Sequence, residues 1–355
     1  MELRQAKDQE HIQVADLAVK IFKSNMKKQF IRLFHHDNLA HMMVAVDHEK
    51  VVASVNHYVT DVLSNRGCFK VASIGAVCTD KAYRKQGIAS QLLHLTEAKM
   101  REEHVDFCII SGDLDIYLRF GARDVGYLKQ YMITRSDQMN HIDIREFNNQ
   151  FDEIYTIYQQ EDIRYIRTKD EFIDLFKGQT YPDDDQSYPT YIIYHENKAK
   201  AYLVLEKHQS HQTLGIKEFA GDRHLIKDAL QILLNKHHKD KIRLIAPTND
   251  PICRLMTDKP KKITQQATLK IVDELAFITH LNESNQKENI PVWYTFNNKL
   301  YICHIEEESY ILDHDAFHQL IFSGKIPKDW VLKHKKWMKQ LVPIELPYSH
   351  NLNYQ

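Results

Sequence analysis

The alternation of apolar and polar positions in the first third of the chain predicts a mixed α/β domain. A strand at 2–5 precedes helices at 8–22 and 29–34, the first with apolar residues every three to four positions. β-branched runs then predict an antiparallel meander with strands at 42–46, 51–59 and 68–79. An amphipathic helix at 87–102 and a buried strand at 107–111 follow, so strands and helices form layers around one sheet.

The middle of the chain repeats this order less regularly, which indicates an internal duplication. A strand at 142–145 and two helices precede paired strands at 191–194 and 199–205, which flank a four-residue turn. A further strand, a helix at 222–235 and a strand at 243–246 complete the series. Convergent α/β layering would produce the same order, so the pattern leaves both origins open.

The last part of the chain predicts a small α+β segment. Its strands lie between 269 and 305, a helix covers 313–322, and a basic helix surrounds 333–339. We therefore predict three domains, at 1–135, 136–264 and 265–355.

Composition and charge exclude several classes of protein. The 355 residues carry a formal charge of −1 and are 43% hydrophobic, which disfavours disorder and a dedicated nucleic-acid binder. No segment approaches the apolar length of a membrane span and the amino terminus lacks a leader, so we expect no membrane partner and a cytoplasmic location. The five cysteines lack a C-x-x-C pair and the 21 histidines are scattered, so we expect no metal site.

The most informative stretch joins an apolar strand to an amphipathic helix through Arg84-x-x-Gly87-x-Ala89. Helix N-termini present unpaired N–H groups and a positive dipole end, so this turn can cradle a diphosphate. Gly87 lets oxygens approach the backbone, and Lys81, Arg84 and Lys85 add positive charge. An isolated glycine turn of this kind is equally compatible with an ordinary connection.

A second feature, Tyr117 followed by Phe120-Gly121, lies downstream at a compatible spacing. Together the two motifs make residues 1–135 resemble the GCN5-related N-acetyltransferase (GNAT) superfamily, whose acetyl-CoA motif is Arg/Gln-x-x-Gly-x-Gly/Ala. The length and the weaker second copy make the whole chain similar to tandem acetyltransferases of the enhanced intracellular survival (Eis) type. The resemblance implies two GNAT folds, each a mixed and mostly antiparallel sheet flanked by helices, and a small C-terminal α+β segment.

The resemblance also implies a catalytic first domain that transfers an acetyl group from acetyl-CoA to a primary amine. Tyr117 matches the family's proton donor, and the terminal carboxylate of Gln355 matches a base supplied by the chain's end. The positions that match the family's cofactor contacts, together with the adjacent Arg84, are Val77, Cys78, Thr79, Arg84, Lys85, Gln86, Gly87, Ile88, Ala89, Ser90, Gly112 and Asp113. Backbone N–H groups near Val77 and Cys78 would polarise the acetyl oxygen.

Several departures from the family keep alternatives open. The fourth strand lacks the glutamate that many members use as a base, and the C-terminal part is short for a sterol-carrier-like domain. The corresponding turn of the second segment, 220–223, lacks the motif, so we expect it to bind no CoA. A catalytically weak CoA-binding regulatory or scaffold protein is the alternative function. The acceptor is a small-molecule or peptide amine, and a homo-oligomer is compatible with the sequence.

Overall fold

The first third of the chain folds as the alternating pattern predicts, with a long β-hairpin at its centre. The computed structural model describes residues 1–136, 141–183 and 185–354. Short 3-10 helices cover His36–His41 and Lys81–Tyr83. The other elements of this region are β1 (Glu2–Gln5), α1 (Glu10–Phe22), α2 (Met26–Gln29), β2 (Met42–Asp47), β3 (Lys50–Ser64), β4 (Gly67–Thr79), α3 (Ile88–Glu102), β5 (Phe107–Ser111) and α4 (Asp115–Phe120).

The middle region contains the second series of strands and helices. Its helix α6 begins with a capping box. The Thr168 side chain accepts from the Glu171 backbone N–H, and the Glu171 side chain accepts from the Thr168 backbone N–H. The elements are β6 (Tyr127–Thr134), β7 (Asp143–Glu146), α5 (Phe151–Tyr158), β8 (Arg164–Ile166), α6 (Lys169–Gln179), β9 (Gln186–Ser187), β10 (Thr190–His195), β11 (Lys198–His208), β12 (Thr213–Gly221), α7 (Arg223–Lys236), β13 (Lys241–Pro247), α8 (Ile252–Leu255) and β14 (Lys261–Thr264).

The last region supplies one strand to a large sheet and forms a small sheet of its own, ordered β16-β17-β18. Its elements are β15 (Ala267–Ile271), α9 (Glu274–Lys287), β16 (Val292–Asn297), β17 (Leu300–Ile305), β18 (Glu308–Leu312), α10 (His314–Ser323) and α11 (Lys328–Leu341). Among the described residues, no helix combines the length and apolar character needed to cross a bilayer.

Two large sheets share one strand order. The first runs β1-β2-β3-β4-β5-β15, and the second runs β7-β10-β11-β12-β13-β6-β14. In each, the first four strands pair antiparallel and the fourth and fifth pair parallel, as β4 with β5 and β12 with β13. A helix connects each parallel pair, α3 in the first sheet and α7 in the second. The predicted fold class is confirmed, and the shared topology supports internal duplication.

The chain divides into two compact units that do not follow its linear order. One unit contains residues 1–126 and 264–346, and the other contains 127–263 and 347–354. Strand β15 pairs with β5 of the first sheet, from Ala267↔Ser111 to Ile271↔Phe107. Strand β6 pairs with β13 of the second sheet. Residues 127–134, which we expected to close the first domain, therefore lie in the second sheet, while the three-domain division remains a prediction.

Several elements differ from the sequence prediction. The short helix expected at 29–34 is wrong, because helix α2 covers Met26–Gln29 and residues 31–34 are turns. Helix α9 and the strands β6, β8, β9, β14 and β18 were not predicted.

Each large sheet buries its helix through an apolar stripe. In the first unit, Ile88, Leu92 and Met100 of α3 lie in one cluster with Val55 and Ile74 of the sheet. In the second unit, α7 uses an equivalent stripe of buried residues, formed by Ile226, Ala229, Leu230, Leu233 and Leu234. Burial of such stripes fixes where each helix begins relative to its sheet. The start of α3 is consequently held beside the carboxyl end of β4.

Candidate active site

The first sheet opens at the carboxyl end of β4. The parallel pairing of β4 with β5 extends only from Val71↔Phe107 to Ile74↔Ile110, whereas β4 continues to Thr79. On its other side, the register with β3 shifts between Ser54 and Asn56. One extra residue of β4 forms a bulge opposite β3, and β4 continues beyond its pairing with β5; we call this unpaired side of β4 the opening.

The bulge contains a backbone conformation that needs local support. Ala76 has a φ of 50°, in the left-handed region that a non-glycine residue rarely adopts. The side-chain amide of Asn56 donates to the Ala76 carbonyl oxygen at 3.3 Å and to Ser54 Oγ at 3.3 Å. Asn56 is fully buried, so these bonds fix the bulge from the neighbouring strand.

The bulge sets the direction of the amides that follow it. The Asp80 N–H donates to the Val52 carbonyl oxygen at 2.8 Å, toward β3. Because successive N–H groups of a strand point to opposite sides, those of Val77 and Thr79 point toward the opening and that of Cys78 points toward β3. The amides of Val77 and Thr79 are thus the ones suited to bind a carbonyl oxygen there.

The loop after β4 prepares an anion site at the start of α3. Lys85 and Gly87 have φ values of 63° and 74°, which turn the chain sharply into the helix. The first i to i−4 bond of α3 is donated by Gln91 to the Gly87 carbonyl oxygen at 3.1 Å. Because the N-cap Gly87 has no side chain to accept their hydrogens, the amides at positions 88–90 face outward. Three adjacent donors at a helix N-terminus are suited to phosphate oxygens.

Charged side chains make the rim of this site positive. Lys81, Arg84 and Lys85 are exposed, and Arg84 Nε donates to the Thr79 carbonyl oxygen at 3.1 Å. The nearby Asp80 carboxylate is paired with Lys20 Nζ at 2.7 Å. That hydrogen bond, with a second from the Ala82 amide, lowers the pKa of Asp80, so its negative charge is retained but neutralised.

A groove of about 390 Å³ runs over this junction. Nine predicted cofactor residues line it: Val77, Cys78, Thr79, Arg84, Lys85, Gly87, Ile88, Ala89 and Ser90. Of the other predicted residues that the structure describes, Gln86, Gly112, Asp113 and Tyr117 are not in this lining.

The predicted cofactor contacts did not include four residues that line the groove, Ile21, Phe22, Tyr83 and Ile116. Phe22 ends α1 with 46% of its surface exposed, and this exposed aromatic residue on a core-facing stripe was the available signal. Tyr83 lies within the motif itself and donates from its hydroxyl to Asp47 Oδ2 at 2.8 Å. The apolar wall formed by Ile21, Phe22 and Ile116 suits the alkyl part of a ligand whose charged end lies at α3.

Cys78 contributes its backbone and the volume of its side chain to the site, and its thiol is not reactive. Its side chain is buried, with Sγ 3.3 Å from Ser54 Oγ. Burial raises the pKa of Cys78 to about 11, an effect that the Ser54 hydrogen bond only partly opposes. The thiol is therefore protonated at neutral pH and is a poor nucleophile.

Tyr117 lies in helix α4, outside the lining of the groove. The turn before this helix contains Gly112 with a φ of 97°, and a Cβ placed on Gly112 would lie 4.0 Å from Tyr117 Cε2. Tyr117 is 6% exposed and belongs to the cluster that includes Ile88 and Ile110. The Tyr117 ring is therefore buried in the core of the first unit, close to Gly112.

The C-terminal tail packs within the second unit as far as it is described. Leu352 is fully buried among the aromatic residues of α5 and α6, and the Leu352 amide donates to Glu218 Oε2 at 3.4 Å. The Tyr354 carbonyl oxygen accepts from Gln179 Nε2 at 2.8 Å. Gln355, the predicted base, lies outside the described residues.

The second unit closes the equivalent helix start with its own carboxylates. Asp222 caps α7 by accepting from the amides of His224 and Leu225 at 2.9 and 3.1 Å. Glu161 Oε1 accepts from the Gly221 amide at 2.7 Å. Arg223 is held between Glu161 and Asp250, so its charge is already paired.

Comparison with known families addresses the first unit directly. Residues 2–124 match the family model Acetyltransf_9, described as an acetyltransferase (GNAT) domain. Residues 2–124 are therefore similar to a GNAT acetyltransferase domain. The resemblance inferred from Arg84-x-x-Gly87-x-Ala89 is thereby confirmed.

Solved structures are similar in fold over almost the whole chain. A probable N-acyltransferase of unknown function from Enterococcus faecalis V583 has a TM-score of 0.70 at 15% identity, with 98% of each chain covered. A GCN5-related N-acetyltransferase from Anabaena variabilis ATCC 29413 has a TM-score of 0.68 at 14% identity, covering 97% of this chain and 96% of that one. Eis1 from Mycobacterium abscessus has a TM-score of 0.65 at 13% identity, covering 99% and 100%. No curated protein matches the chain in sequence.

Proposed function

We propose that the first unit is an acetyl-CoA-dependent N-acetyltransferase that moves an acetyl group to a primary amine of a small molecule or peptide. The observation that carries the proposal is the continuity of the groove from the opening of β4 to the uncapped start of α3. A GNAT domain supports acyl transfer, and the choice of acetyl-CoA rests on this groove and on the resemblance.

In this proposal the diphosphate of CoA binds the amides at the start of α3, with Arg84 and Lys85 at the rim. The pantetheine arm follows β4 past Thr79 and Val77, in the place of the missing parallel partner strand. Gln86, Gly112 and Asp113 complete the set of cofactor contacts. The thioester then reaches the opening, where the Val77 amide binds the acetyl oxygen as negative charge develops.

The reaction we propose is direct attack of the amine on the thioester carbonyl carbon. The C–N bond forms as the C–S bond breaks, the amine loses a proton, and the CoA sulfur gains one. Tyr117 gives its phenolic proton to the sulfur, a role supported by its place close to Gly112. The raised pKa of Cys78 argues against an acetyl-cysteine intermediate.

The amine's proton needs an acceptor, and we propose the terminal carboxylate of Gln355. The absence of acidic residues from 69–75 of β4 supports a base outside the strand. We also propose that the second unit is a degenerate GNAT-like domain that binds no CoA, supported by the carboxylates of Asp222 and Glu161 at its helix start.

A CoA-binding regulatory or scaffold protein is the second candidate function. The absence of acidic residues from 69–75 of β4 favours this second function, because without a base the cofactor would bind without turnover. Tyr117 favours catalysis, because cofactor binding alone does not require an acid at the sulfur.

Release of free thiol from acetyl-CoA, measured with a panel of amines, distinguishes these functions. The enzyme proposal predicts amine-dependent release that falls about 10²–10⁴-fold in Tyr117→Phe while acetyl-CoA affinity is unchanged. Tight acetyl-CoA binding without amine-dependent release from the native chain would instead support the scaffold. Equal release by Tyr117→Phe would remove Tyr117 from the mechanism.

A further inference from the structure

Three side chains with nitrogen or oxygen donors meet at the far end of α3 from Gly87. His41 ends the 3-10 helix before β2, His57 lies within β3, and Glu103 follows the last residue of α3. One donor atom from each lies within 4.8 Å of the others. His41 Nε2 is 3.0 Å from Glu103 Oε2. We name these three residues the His-His-Glu cluster.

The hydrogen bonds of Asn38 determine which nitrogen of His41 carries hydrogen. The Asn38 side-chain amide donates to the carbonyl oxygens of Leu33 and His57, each at 2.9 Å. Its oxygen therefore faces His41 Nδ1, at 2.9 Å, and accepts from an Nδ1–H. His41 Nε2 then points at the Glu103 carboxylate. A nitrogen lone pair and a carboxylate oxygen repel each other at this distance, so a cation lies between them, either a proton or a metal ion.

His57 distinguishes these two cations. Its side chain is fully buried, and among the described residues neither ring nitrogen has a hydrogen-bond partner. Burial lowers the pKa of His57 well below its usual value, with a smaller contribution from His41 and then Lys99. The backbone of His41 raises the pKa of His57 slightly, although it does not form a hydrogen bond with either ring nitrogen. A proton between His41 and Glu103 leaves both ring nitrogens of the buried His57 without a partner, whereas a metal ion gives one of them a bond.

We propose that the His-His-Glu cluster binds a zinc-type divalent cation through His41 Nε2, one His57 ring nitrogen and a Glu103 carboxylate oxygen. Two histidines, one carboxylate and a water form a common four-coordinate zinc set. Zinc–ligand bonds of about 2.0–2.1 Å at tetrahedral angles place two ligands roughly 3.3 Å apart, close to the separation of His41 Nε2 and Glu103 Oε2. Asn38 orients His41 from behind, as outer partners of metal-bound histidines do.

Lys99 is the cation that competes with this ion. Its Nζ lies 3.1 Å from Glu103 Oε1, and its side chain is 25% exposed. A dication at the cluster repels this ammonium, which has a short path to solvent. Removal of the Lys99 charge should therefore tighten metal binding.

The ion would connect three elements that the sequence separates. The cluster lies on the 3-10 helix, β3 and the end of α3, all within the first unit. It is at the opposite end of α3 from the groove-lining Gly87, so we assign it a stabilising role. This replaces the expectation of no metal site, which rested on the scattered positions of the histidines along the chain.

Zinc titration of the metal-stripped full chain against a chromophoric competitor tests the proposal. We expect one tight site per chain and a rise of several degrees in Tm when it is filled. Glu103→Gln and His41→Gln should each weaken zinc binding about 10²-fold and abolish the Tm rise, while Lys99→Gln tightens binding several-fold. His104→Gln is the matched control, because His104 is exposed and adjacent to Glu103 but bonds Asp273.

A second spectroscopic readout keeps the test independent of folding defects. Cobalt in place of zinc should give the visible absorption of a four-coordinate site in the native chain and in His104→Gln, but not in Glu103→Gln. Unchanged acetyl-CoA binding in each variant would show that the fold is intact. The proposal is overturned if the native chain has no saturable site, or if Glu103→Gln and His41→Gln bind zinc as the native chain does.

Discussion

The starts of α3 and α7 occupy the same place in two sheets of the same topology, yet their local charge differs. At α3 the N-cap is Gly87 and the neighbouring exposed side chains are Arg84 and Lys85. At α7 the N-cap is Asp222, and its carboxylate accepts from two amides of the helix. A helix N-terminus favours negative charge in both places. The second unit supplies this charge from the protein, whereas in the first unit we propose that a ligand supplies it.

If the proposal holds, this difference means that the shared fold places a helix N-terminus at the same point twice and that individual side chains decide whether it can bind an anion. The second unit retains the helix, the parallel strand pair and a register shift in its fourth strand, between Val204 and Leu205 of the partner strand. The glycine N-cap is replaced by aspartate, and the residues of α8, Ile252–Leu255, contain no tyrosine corresponding to Tyr117. The two units thus share their layers but differ in the chemical groups at the helix start.

The largest expected effect comes from giving α3 the cap of α7. Gly87→Asp places a carboxylate where the diphosphate is proposed to bind, and the left-handed φ of 74° is one that aspartate and asparagine tolerate. A Cβ on Gly87 would lie 3.8 Å from Gln91 Nε2, so the substitution has room. We expect acetyl-CoA affinity to fall roughly 10²–10³-fold, measured by calorimetry.

The uncharged control for this change is Gly87→Asn, which has nearly the same shape. It should lose much less affinity than Gly87→Asp, because only the charge differs. Equal losses would mean that shape, and not charge, distinguishes the two helix starts. Asp222→Ala in the second unit should leave acetyl-CoA affinity unchanged.

Extension of the chain beyond Gln355 tests the proposed base. A few added residues would move the terminal carboxylate, so turnover should fall on the order of 10²-fold while acetyl-CoA still binds. Thiol release under saturating acetyl-CoA measures this. Native turnover in the extended chain would exclude the terminal carboxylate from the reaction.

The site was predictable from sequence where its parts are contiguous. The strand, the glycine turn and the amphipathic helix all lie within 77–90, so the N-terminal donors of α3 followed from local pattern. The opening of β4 depends on the register of β4 with β3 and β5, which β4 alone does not encode. The bulge at Ala76 also produces no recognisable change in the alternation of apolar and polar residues. Phe22 joins the groove from a helix more than fifty residues earlier, a contact that no local pattern encodes.

The fold was likewise predictable where its elements follow a local pattern. The prediction failed where strands that are distant in sequence pair with each other. The return of β15 to β5 joins residues about 160 positions apart in sequence, which periodicity cannot reveal. Helix α9 was missed because it buries Phe277, Ile278 and Leu281 but exposes Leu275. Its polar second half further weakens the amphipathic pattern.

Rim charges should contribute a smaller effect. Arg84→Gln and Lys85→Gln should each weaken acetyl-CoA binding by roughly 3–10-fold, because exposed charge pairs are screened by water. The loss should shrink as salt concentration rises. An affinity that is independent of both side chains and of salt would locate the diphosphate away from this loop.

The smallest effect is expected at Cys78. Cys78→Ala should change turnover by less than about threefold, because the proposed contacts of this strand are backbone amides. Since the raised pKa keeps the thiol neutral up to about pH 11, the pH profile of turnover between pH 6 and 9 should be the same in both proteins. A lost pH limb in Cys78→Ala would contradict this.

The number of acetyl-CoA molecules bound per chain tests most directly the claim that one helix start accepts a diphosphate and the other is closed by carboxylates. Calorimetry on the full chain should give one molecule per chain, and Gly87→Asp should remove that heat while Asp222→Ala keeps it. Two molecules per chain, or binding that survives Gly87→Asp and disappears in Asp222→Ala, would contradict the account.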